Sequence, residues 1–420
     1  MQDQANPAVE TAGSPHPGVG FREFVVLMAA LMAVNALAID MMLPALPHIG
    51  AELGVADENR RQWVLAAYLL GFGAAQLFLG TLSDRYGRKP TLLTSLAFYI
   101  VCSLVAAFAS SFEILIAARI VQGLGAAASR VITVSIIRDC YSGRQMARVM
   151  SLVFIVFLMM PAIAPGIGQL VMFVGPWRWI FAGLGIFATV LMFWVFLRLP
   201  ETLAPARRLS IEFDRIVASL RTVFVTRIAI GYTLAMAFVM GGLFGFINSV
   251  QQIFADVFGW PNLFTLVFGL MALSMAVASF INSRIVLRFG MRRISHSAAI
   301  GYAIASLLNL TLALGGLQSV WSFSILMCAT MFCFGLTAPN FGAMAMEPVG
   351  HIAGTASSLQ SFISIVGGAL AGSLIGQHFN GTTVPLLLGF ALLSLAAIGV
   401  VLVTEHGRLF HPHAQAPQPR

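Results

Sequence analysis

The segment Gly80-Thr-Leu-Ser-Asp84-Arg85-Tyr86-Gly87-Arg88-Lys89-Pro90 joins two long apolar runs, at about 63–83 and 91–109. A related stretch, Ser283-Arg-Ile-Val-Leu287-Arg288-Phe289-Gly290-Met291-Arg292-Arg293, follows the run at about 263–286 with an offset of 203 residues, so that Gly87 falls on Gly290. Arginine, aromatic, glycine and a further cation recur in register, while Asp84 becomes Leu287. A short, charged, glycine-containing loop used twice between apolar runs indicates a duplicated membrane protein. Its two halves are related by an axis along the membrane normal, with a midplane site between them.

Outward from this loop the pattern repeats. Apolar runs lie at about 24–47, 63–83, 91–109, 113–136, 147–172, 178–198, 226–250, 263–286, 295–315, 319–342, 354–378 and 383–403. Each is near the ~20 residues that a helix needs to cross a bilayer. Transmembrane strands would read as alternating segments of about ten residues, which these are not. Of 420 residues 59% are hydrophobic and only 10% charged, against roughly 25% charged in soluble domains. That excludes a cytosolic enzyme, and the 39 glycines suit close packing of membrane helices. The net charge of +8 sits in short loops, so it reports membrane topology and not nucleic acid binding. The four cysteines, Cys102, Cys140, Cys328 and Cys333, have no metal-binding spacing, and no metal or cofactor is expected.

The cations set the orientation. Nineteen of the 24 Lys and Arg residues fall on the side that carries both termini, three (Arg60, Arg61, Arg178) on the other, and Arg119 and Arg130 within a run. The positive-inside rule places both termini in the cytoplasm. The expected organisation is a disordered tail over 1–21, a six-helix bundle over 22–199, a linker over 200–225, a second six-helix bundle over 226–404 and a tail over 405–420. In the linker, Phe213, Ile216, Val217, Leu220 and Phe224 recur at helical spacing with Arg215 and Arg221 between them, which predicts an amphipathic helix on the inner membrane surface.

Four motifs make the chain resemble the major facilitator superfamily over about residues 22–405, and within it the twelve-helix drug:proton antiporters of the Bcr/CflA type. The Gly80–Pro90 loop matches the superfamily's signature loop almost letter for letter. Asp40-Met-Met-Leu-Pro44-Ala-Leu-Pro47 ends the first run, and Arg119-Ile-Val-Gln122-Gly123-Leu-Gly125-Ala126 lies in the fourth. Pro161-Ala-Ile-Ala-Pro165-Gly166-Ile-Gly168 in the fifth resembles the antiporter motif, with Ala164 and Gln169 in place of two glycines. The resemblance implies an all-α integral membrane fold of twelve helices in two pseudo-symmetric six-helix bundles, the major facilitator fold.

Asp40 is the one acid well inside an apolar run. A charge at such depth costs about 2.5–3.5 kcal/mol, so the carboxyl is expected to be protonated part of the time or paired. Either it takes the coupling proton or the substrate, or it fixes a helix break before Pro44. Arg119 stays charged and must find acceptors inside the bundle; the family associates this arginine with proton coupling, and the alternative is a structural arginine held by carbonyls and Gln122. Gly80, Asp84, Arg85, Gly87 and Arg88 read as a conformational latch. The resemblance implies that Asp84 faces the start of the eleventh helix near Gly354 and that Arg88 pairs with Asp139. Pro161, Pro165, Gly166 and Gly168 interrupt a regular helix and serve as a hinge, with Gly367, Gly368, Gly372 and Gly376 as counterparts. Family architecture selects Asn35, Gln122, Asn248 and Asn340 as substrate-cavity residues, with Phe154 and Phe157 as apolar lining.

The function implied is a bacterial inner-membrane antiporter whose partners are a small amphipathic substrate such as a drug, protons and the lipid bilayer, with no nucleic acid, acting as a monomer and driven by the proton gradient. The alternative is a uniporter or proton symporter for a polar solute on the same fold. A membrane enzyme would cluster His, Asp or Glu within its runs, which this chain does not. Cysteines introduced one at a time into 84–90 and 284–293, in a cysteine-free background, are expected to label only from the cytoplasm; labelling of either loop from outside intact cells contradicts the orientation.

Overall fold

Long apolar runs become helices because hydrocarbon offers the backbone no partner but itself. A computed structural model of the chain describes residues 19–410 apart from 142, 206–207, 209–212 and 262. Residues 1–18 and 411–420 of the expected tails, and the part of the linker that holds Arg207, lie outside the described residues. The helices are α1 (Phe21–Asp40), α2 (Leu46–Glu52), α3 (Trp63–Tyr86), α4 (Arg88–Ala107), α5 (Phe112–Cys140), α6 (Gly143–Val174) and α7 (Arg178–Arg198), then α8 (Phe213–Val225) in the linker. The second half holds α9 (Arg227–Gln252), α10 (Leu263–Phe289), α11 (Met291–Leu314), α12 (Val320–Met346), α13 (Ala353–Gln377) and α14 (Val384–Thr404). With α1 and α2 counted as one span, twelve helical segments among the described residues are long and apolar enough to cross a membrane. The end of the molecule where α1 begins and α14 finishes is called the near end below, the opposite one the far end.

Packing repeats between the halves. In the first, α1 packs on α5, α6 and α7, α3 on α5, and α4 on α5 and α7; in the second, α9 packs on α12, α13 and α14, α10 on α12, and α11 on α12 and α14. The bundles meet through α3 on α13 and α6 on α10, and these two interfaces are themselves mates under the repeat. The first runs the length of the helices: Gln62 lies by Gly376 at the far end, Gly73 by Val366 midway and Gly80 by Ser358 near the other end.

The linker helix α8 is docked on protein as well as lying at the surface. Leu220 and Val223 join an apolar cluster with Val349, Ala356 and Leu359 of the second bundle, which Leu77 of α3 also reaches, while Val217 and Phe224 are exposed. Residues 19–21 and 405–410 also differ from the expected tails. Val19 is buried, α1 already begins at Phe21, and Leu409 packs against the core. The expected interruption at Pro161 and Pro165 is absent from the secondary structure, since α6 runs unbroken from Gly143 to Val174 through both prolines. Membrane helices tolerate proline where neighbours compensate the lost backbone bond.

Glycine decides how closely α3, α4 and α5 approach. A Cβ on Gly123 would stand 2.1 Å from the Tyr68 carbonyl oxygen, and one on Gly71 2.0 Å from that of Ile120. Backbone therefore lies against backbone at this crossing, the arrangement that small residues permit in membranes. Gly123→Ala must push α3 and α5 apart and is expected to cost roughly 1–3 kcal/mol. Gly183 on α7 has no atom within 4 Å of such a Cβ, so Gly183→Ala serves as the neutral control. Thermal denaturation in detergent should show a lowered Tm for the first variant only; equal Tm values contradict the close contact.

Candidate functional site

The site is built where α1 stops. Pro44 and Pro47 lack an N–H and disfavour helix in the preceding residue, so α1 ends at Asp40 and passes through a 3-10 turn (Leu43–Ala45) into α2. A helix end has carbonyls without intrahelical partners. One of these, Ala38 O, accepts a hydrogen bond from Arg119 Nη2 at 3.0 Å. Arg119 Nε donates to Val64 O in the first turn of α3 at 2.9 Å, and Nη1 to Gln122 Oε1 at 2.7 Å. The guanidinium stands over the Tyr68 ring, 4.3 Å from its centroid, and Tyr68 in turn donates to Asn35 Oδ1 at 2.6 Å. Gln122 passes the network on, its Nε2 donating to Ser103 Oγ at 2.7 Å.

Arg119 is 0% exposed, and among the described residues no carboxylate pairs with it. Asp40, 4% exposed, lies two residues beyond Ala38 and makes no hydrogen bond or ion pair among them. The two buried ionisable side chains thus share one helix end without touching each other. Neutral carbonyls, an amide and an aromatic face hold the cation, each able to favour it without cancelling its charge. The α6 backbone closes on the same spot. A Cβ on Gly168 would stand 2.2 Å from the Met41 carbonyl oxygen, whereas Gly166 has only ordinary contact with Thr265.

The other expected cavity residues fall in different surroundings. Gln122 has both amide atoms engaged inside the first bundle, which leaves it supporting Arg119 instead of facing a cavity. Asn340 donates to Asn282 Oδ1 and to Leu336 O, both at 2.7 Å. Asn248 is buried, with no hydrogen bond to either amide atom. Phe154 is exposed and Phe157 half-buried, their rings edge to face.

At the near end, Arg88 donates to Asp139 Oδ2 at 3.0 Å and to Asp84 Oδ1 at 2.5 Å, so the Asp84 carboxylate serves the next helix of its own bundle and not the start of α13. Gly87, with φ +104°, makes the left-handed turn that starts α4. Arg85 is exposed and stacks its guanidinium on Tyr86. Glu201, which the motif reading missed, accepts from the backbone N–H of Arg88 at 2.9 Å and of Lys89 at 3.2 Å, an anion at a helix N-terminus. The second half repeats this grouping. Arg292 lies 2.9 Å from Glu405 and 3.7 Å from Glu347, with Gly290 at φ +79° before it. The available signal was Pro200-Glu201-Thr202 directly after the sixth run and Thr404-Glu405 after the twelfth.

At the far end, uncharged amides tie the bundles together, a feature the motif reading also missed. Gln62 Nε2 donates to Gln252 Oε1 at 2.6 Å and to Gly376 O at 3.2 Å. Asn59 Nδ2 donates to Phe379 O at 2.9 Å and Gln377 O at 3.2 Å, and Gln377 Nε2 returns a bond to Asn59 O at 2.7 Å. Thr265 of α10 donates to Gln169 of α6 at 2.9 Å. Gln62 Oε1 and the Asn248 amide stay buried without partners, so closure also carries a desolvation cost. Replacing Gln252 by Leu removes one bond to Gln62 and one to Asn59, each worth about 1 kcal/mol. Paired spin labels at Ala56→Cys and Thr382→Cys should then show a longer-distance component in Gln252→Leu. An unchanged distance distribution contradicts the sealing role.

Comparison with known proteins agrees with this architecture. The chain matches the family model described as Major Facilitator Superfamily over residues 28–372. It is 32% identical over 398 residues to a chloramphenicol resistance protein of Pseudomonas aeruginosa, covering 91% of this chain and 90% of that one. It is 30% identical over 370 residues to a bicyclomycin resistance protein homolog of Haemophilus influenzae, covering 87% and 91%. Among solved structures it is similar to a D-xylose-proton symporter, with a TM-score of 0.72 at 14% identity over 90% of this chain and 97% of the other, a likeness of fold. On the duplicated bundles, the signature loop and these matches together, the chain belongs to the Major Facilitator Superfamily.

Proposed function

We propose that this transporter exports small amphipathic compounds, drugs among them, across the bacterial inner membrane in exchange for protons, with both termini in the cytoplasm. The observation that carries the reading is Asp40: a buried carboxyl, without a hydrogen-bond partner among the described residues, at the helix end whose Ala38 carbonyl holds Arg119. A carboxyl so placed is held only by its proton or by whatever enters beside it. The names of the relatives support the substrate class, since two of them are resistance proteins against chloramphenicol and, by homology, bicyclomycin.

In this mechanism the bundles, taken as 22–199 and 226–404, rock about the interfaces of α3 with α13 and α6 with α10. The amide seal closes the far, outward end. Opening it lets Asp40 load a proton from outside. Closure and opening of the near end release that proton inward and admit substrate, so occupancy by proton and by substrate alternate. Arg119 biases Asp40 toward its ionised form through the shared helix end, and movement of α1 against α5 would relax that bias. The Arg88–Asp84–Asp139 grouping acts as a latch within the first bundle, keeping the near ends of α3, α4 and α5 moving as one body, and Gly166 and Gly168 let α6 slide on α10 and α1. No cofactor takes part; the electrical component of the gradient supplies about 2.3 kcal/mol per charge per 100 mV.

Asp40→Asn keeps the shape but cannot take up a proton. In liposomes with an imposed pH gradient, the variant is expected to lose gradient-driven accumulation of a substrate such as chloramphenicol. In detergent, it is expected to lose substrate-induced proton release while still binding a neutral substrate. Undiminished proton release from Asp40→Asn would place the coupling group elsewhere.

A further inference from the structure

A second group of buried titratable side chains lies at the near end of the second bundle, remote from Asp40. His296, in the second turn of α11, is 2% exposed. Its Nε2 lies 2.9 Å from the Tyr232 hydroxyl of α9, and its Nδ1 lies 3.1 Å from the backbone nitrogen of Phe410. Tyr232 donates its own proton to Glu405 Oε1 at 2.6 Å, and Arg292 Nε donates to the same oxygen at 2.9 Å. The groups facing the imidazole are therefore Tyr232 from α9, Arg292 from its own helix and Glu405 from the segment after α14, with Glu347 at the end of α12 reached through Arg292.

Hydrogen-bond direction fixes the state of the ring. The Tyr232 proton is committed to Glu405, so the tyrosine oxygen can only accept, and Nε2 must carry a hydrogen. The Phe410 N–H can only donate, so Nδ1 must be bare. The neutral Nε2–H imidazole satisfies every partner. A proton can be added only at Nδ1, where it would point at the Phe410 N–H and turn an attraction into a repulsion.

What Nδ1 holds is the carboxy-terminal segment. After α14 the chain turns back through His406 at φ +54°, Gly407 at +76° and Phe410 at +68°. The two non-glycine residues in the left-handed region are strained and persist there only while contacts hold them. At its start the segment is held by Tyr232 and Arg292 on Glu405 and by Arg227 beside the His406 ring; at its end the contacts include the His296 bond, the Phe410 ring set edge-on to the imidazole at 5.8 Å between centroids, and Leu409 against the core. Of the bonds named, the one from the Phe410 N–H to Nδ1 is the one that a proton on the ring abolishes, and it lies at the strained Phe410 itself.

We infer that His296 is a second proton-binding site of this protein, and that proton uptake at its Nδ1 releases Phe410 and the adjoining residues 408–409 from the near end of the second bundle. Low pH on the near side thereby frees Phe410, while the bonds of Tyr232 and Arg292 to Glu405 go on tying α9 and α11 to the segment after α14. The inference does not depend on Asp40 or on the direction of transport.

The test is a nitroxide at the exposed position 408, introduced as Arg408→Cys in the full-length, otherwise cysteine-free protein. Its spectrum is followed from about pH 8 to about pH 4, the range that brackets histidine titration. A slow-motion spectrum at high pH should give way to a fast component as pH falls. In His296→Gln, the carboxamide can donate to Tyr232 and accept from Phe410 but cannot gain a proton, so the slow spectrum should persist throughout. In His296→Lys, which has no acceptor, the fast component should be present at every pH. His406→Gln, which alters the other histidine of the segment, should titrate as wild type. A transition that survives in His296→Gln, one that disappears in His406→Gln, or no transition in wild type overturns the inference.

Discussion

A guanidinium sealed inside the first bundle without a carboxylate partner sets the terms for the helices around it. Arg119 must be given carbonyl oxygens: Ala38 O comes from the carboxyl end of a helix, where carbonyls lack intrahelical partners, and Val64 O, in the first turn of α3, offers its second lone pair. Hence α1 has to stop near Ala38, α3 has to present its first turn at Val64, and Gly71 and Gly123 have to be small enough for α3 and α5 to meet. Tyr68 supplies a π face and stays oriented by its bond to Asn35. The proline-induced break that frees Ala38 O also leaves Asp40 beside it. One end of one helix therefore carries both charges, and any displacement of that end is felt by both.

Duplication provided the frame for both halves and the membrane-interior charges for one. The packing of α1 and α3–α7 is repeated by α9–α14, and the turn with a left-handed glycine, an arginine and two acids is present at Gly87 and again at Gly290. Yet α9 holds no acid, α12 holds no charged residue at all, and the counterpart of Asp84 is Leu287, which is 94% exposed. The second bundle contributes instead the amides of Gln252 and Gln377 and the buried Asn248. A shared fold thus carries unequal chemistry: the first bundle places Asp40 and Arg119 deep at a helix end, while the ionisable groups of the second, His296, Arg292 and Glu405, gather at its near end.

Helix number and halves were legible in the sequence because hydropathy and loop cations obey a solvent rule that neighbours do not override. Asp40 and Arg119 were legible because a charge in an apolar run is costly wherever the helix turns. The partners were not. Whether Arg119 meets a carboxylate or carbonyls depends on where α1 ends in space, and the glutamine that seemed suited to a cavity, Gln122, was taken by the arginine three residues before it. Glu201, Glu405 and His296 escaped notice because acids and histidines at helix ends are ordinary in composition; only the fold shows which of them are buried together. The amides at Asn59, Gln62, Gln252 and Gln377 were dispersed along the chain, and no local motif links residues more than three hundred positions apart.

The seal at the far end is made of carboxamides and carbonyls, and this choice of chemistry has a consequence for where the protein lives. Ion pairs at a surface weaken as ionic strength rises, with a screening length of about 10 Å at 0.1 M salt. Neutral hydrogen bonds among Asn59, Gln62, Gln252 and Gln377 have no such dependence, nor do they titrate in any physiological range. A seal of this kind is thus indifferent to brine and acid alike, whichever medium bathes it. Arg88 with Asp84 and Asp139, and His296 with its neighbours, sit at the opposite end, so salt and acid reach the contacts of the two ends through different chemistry.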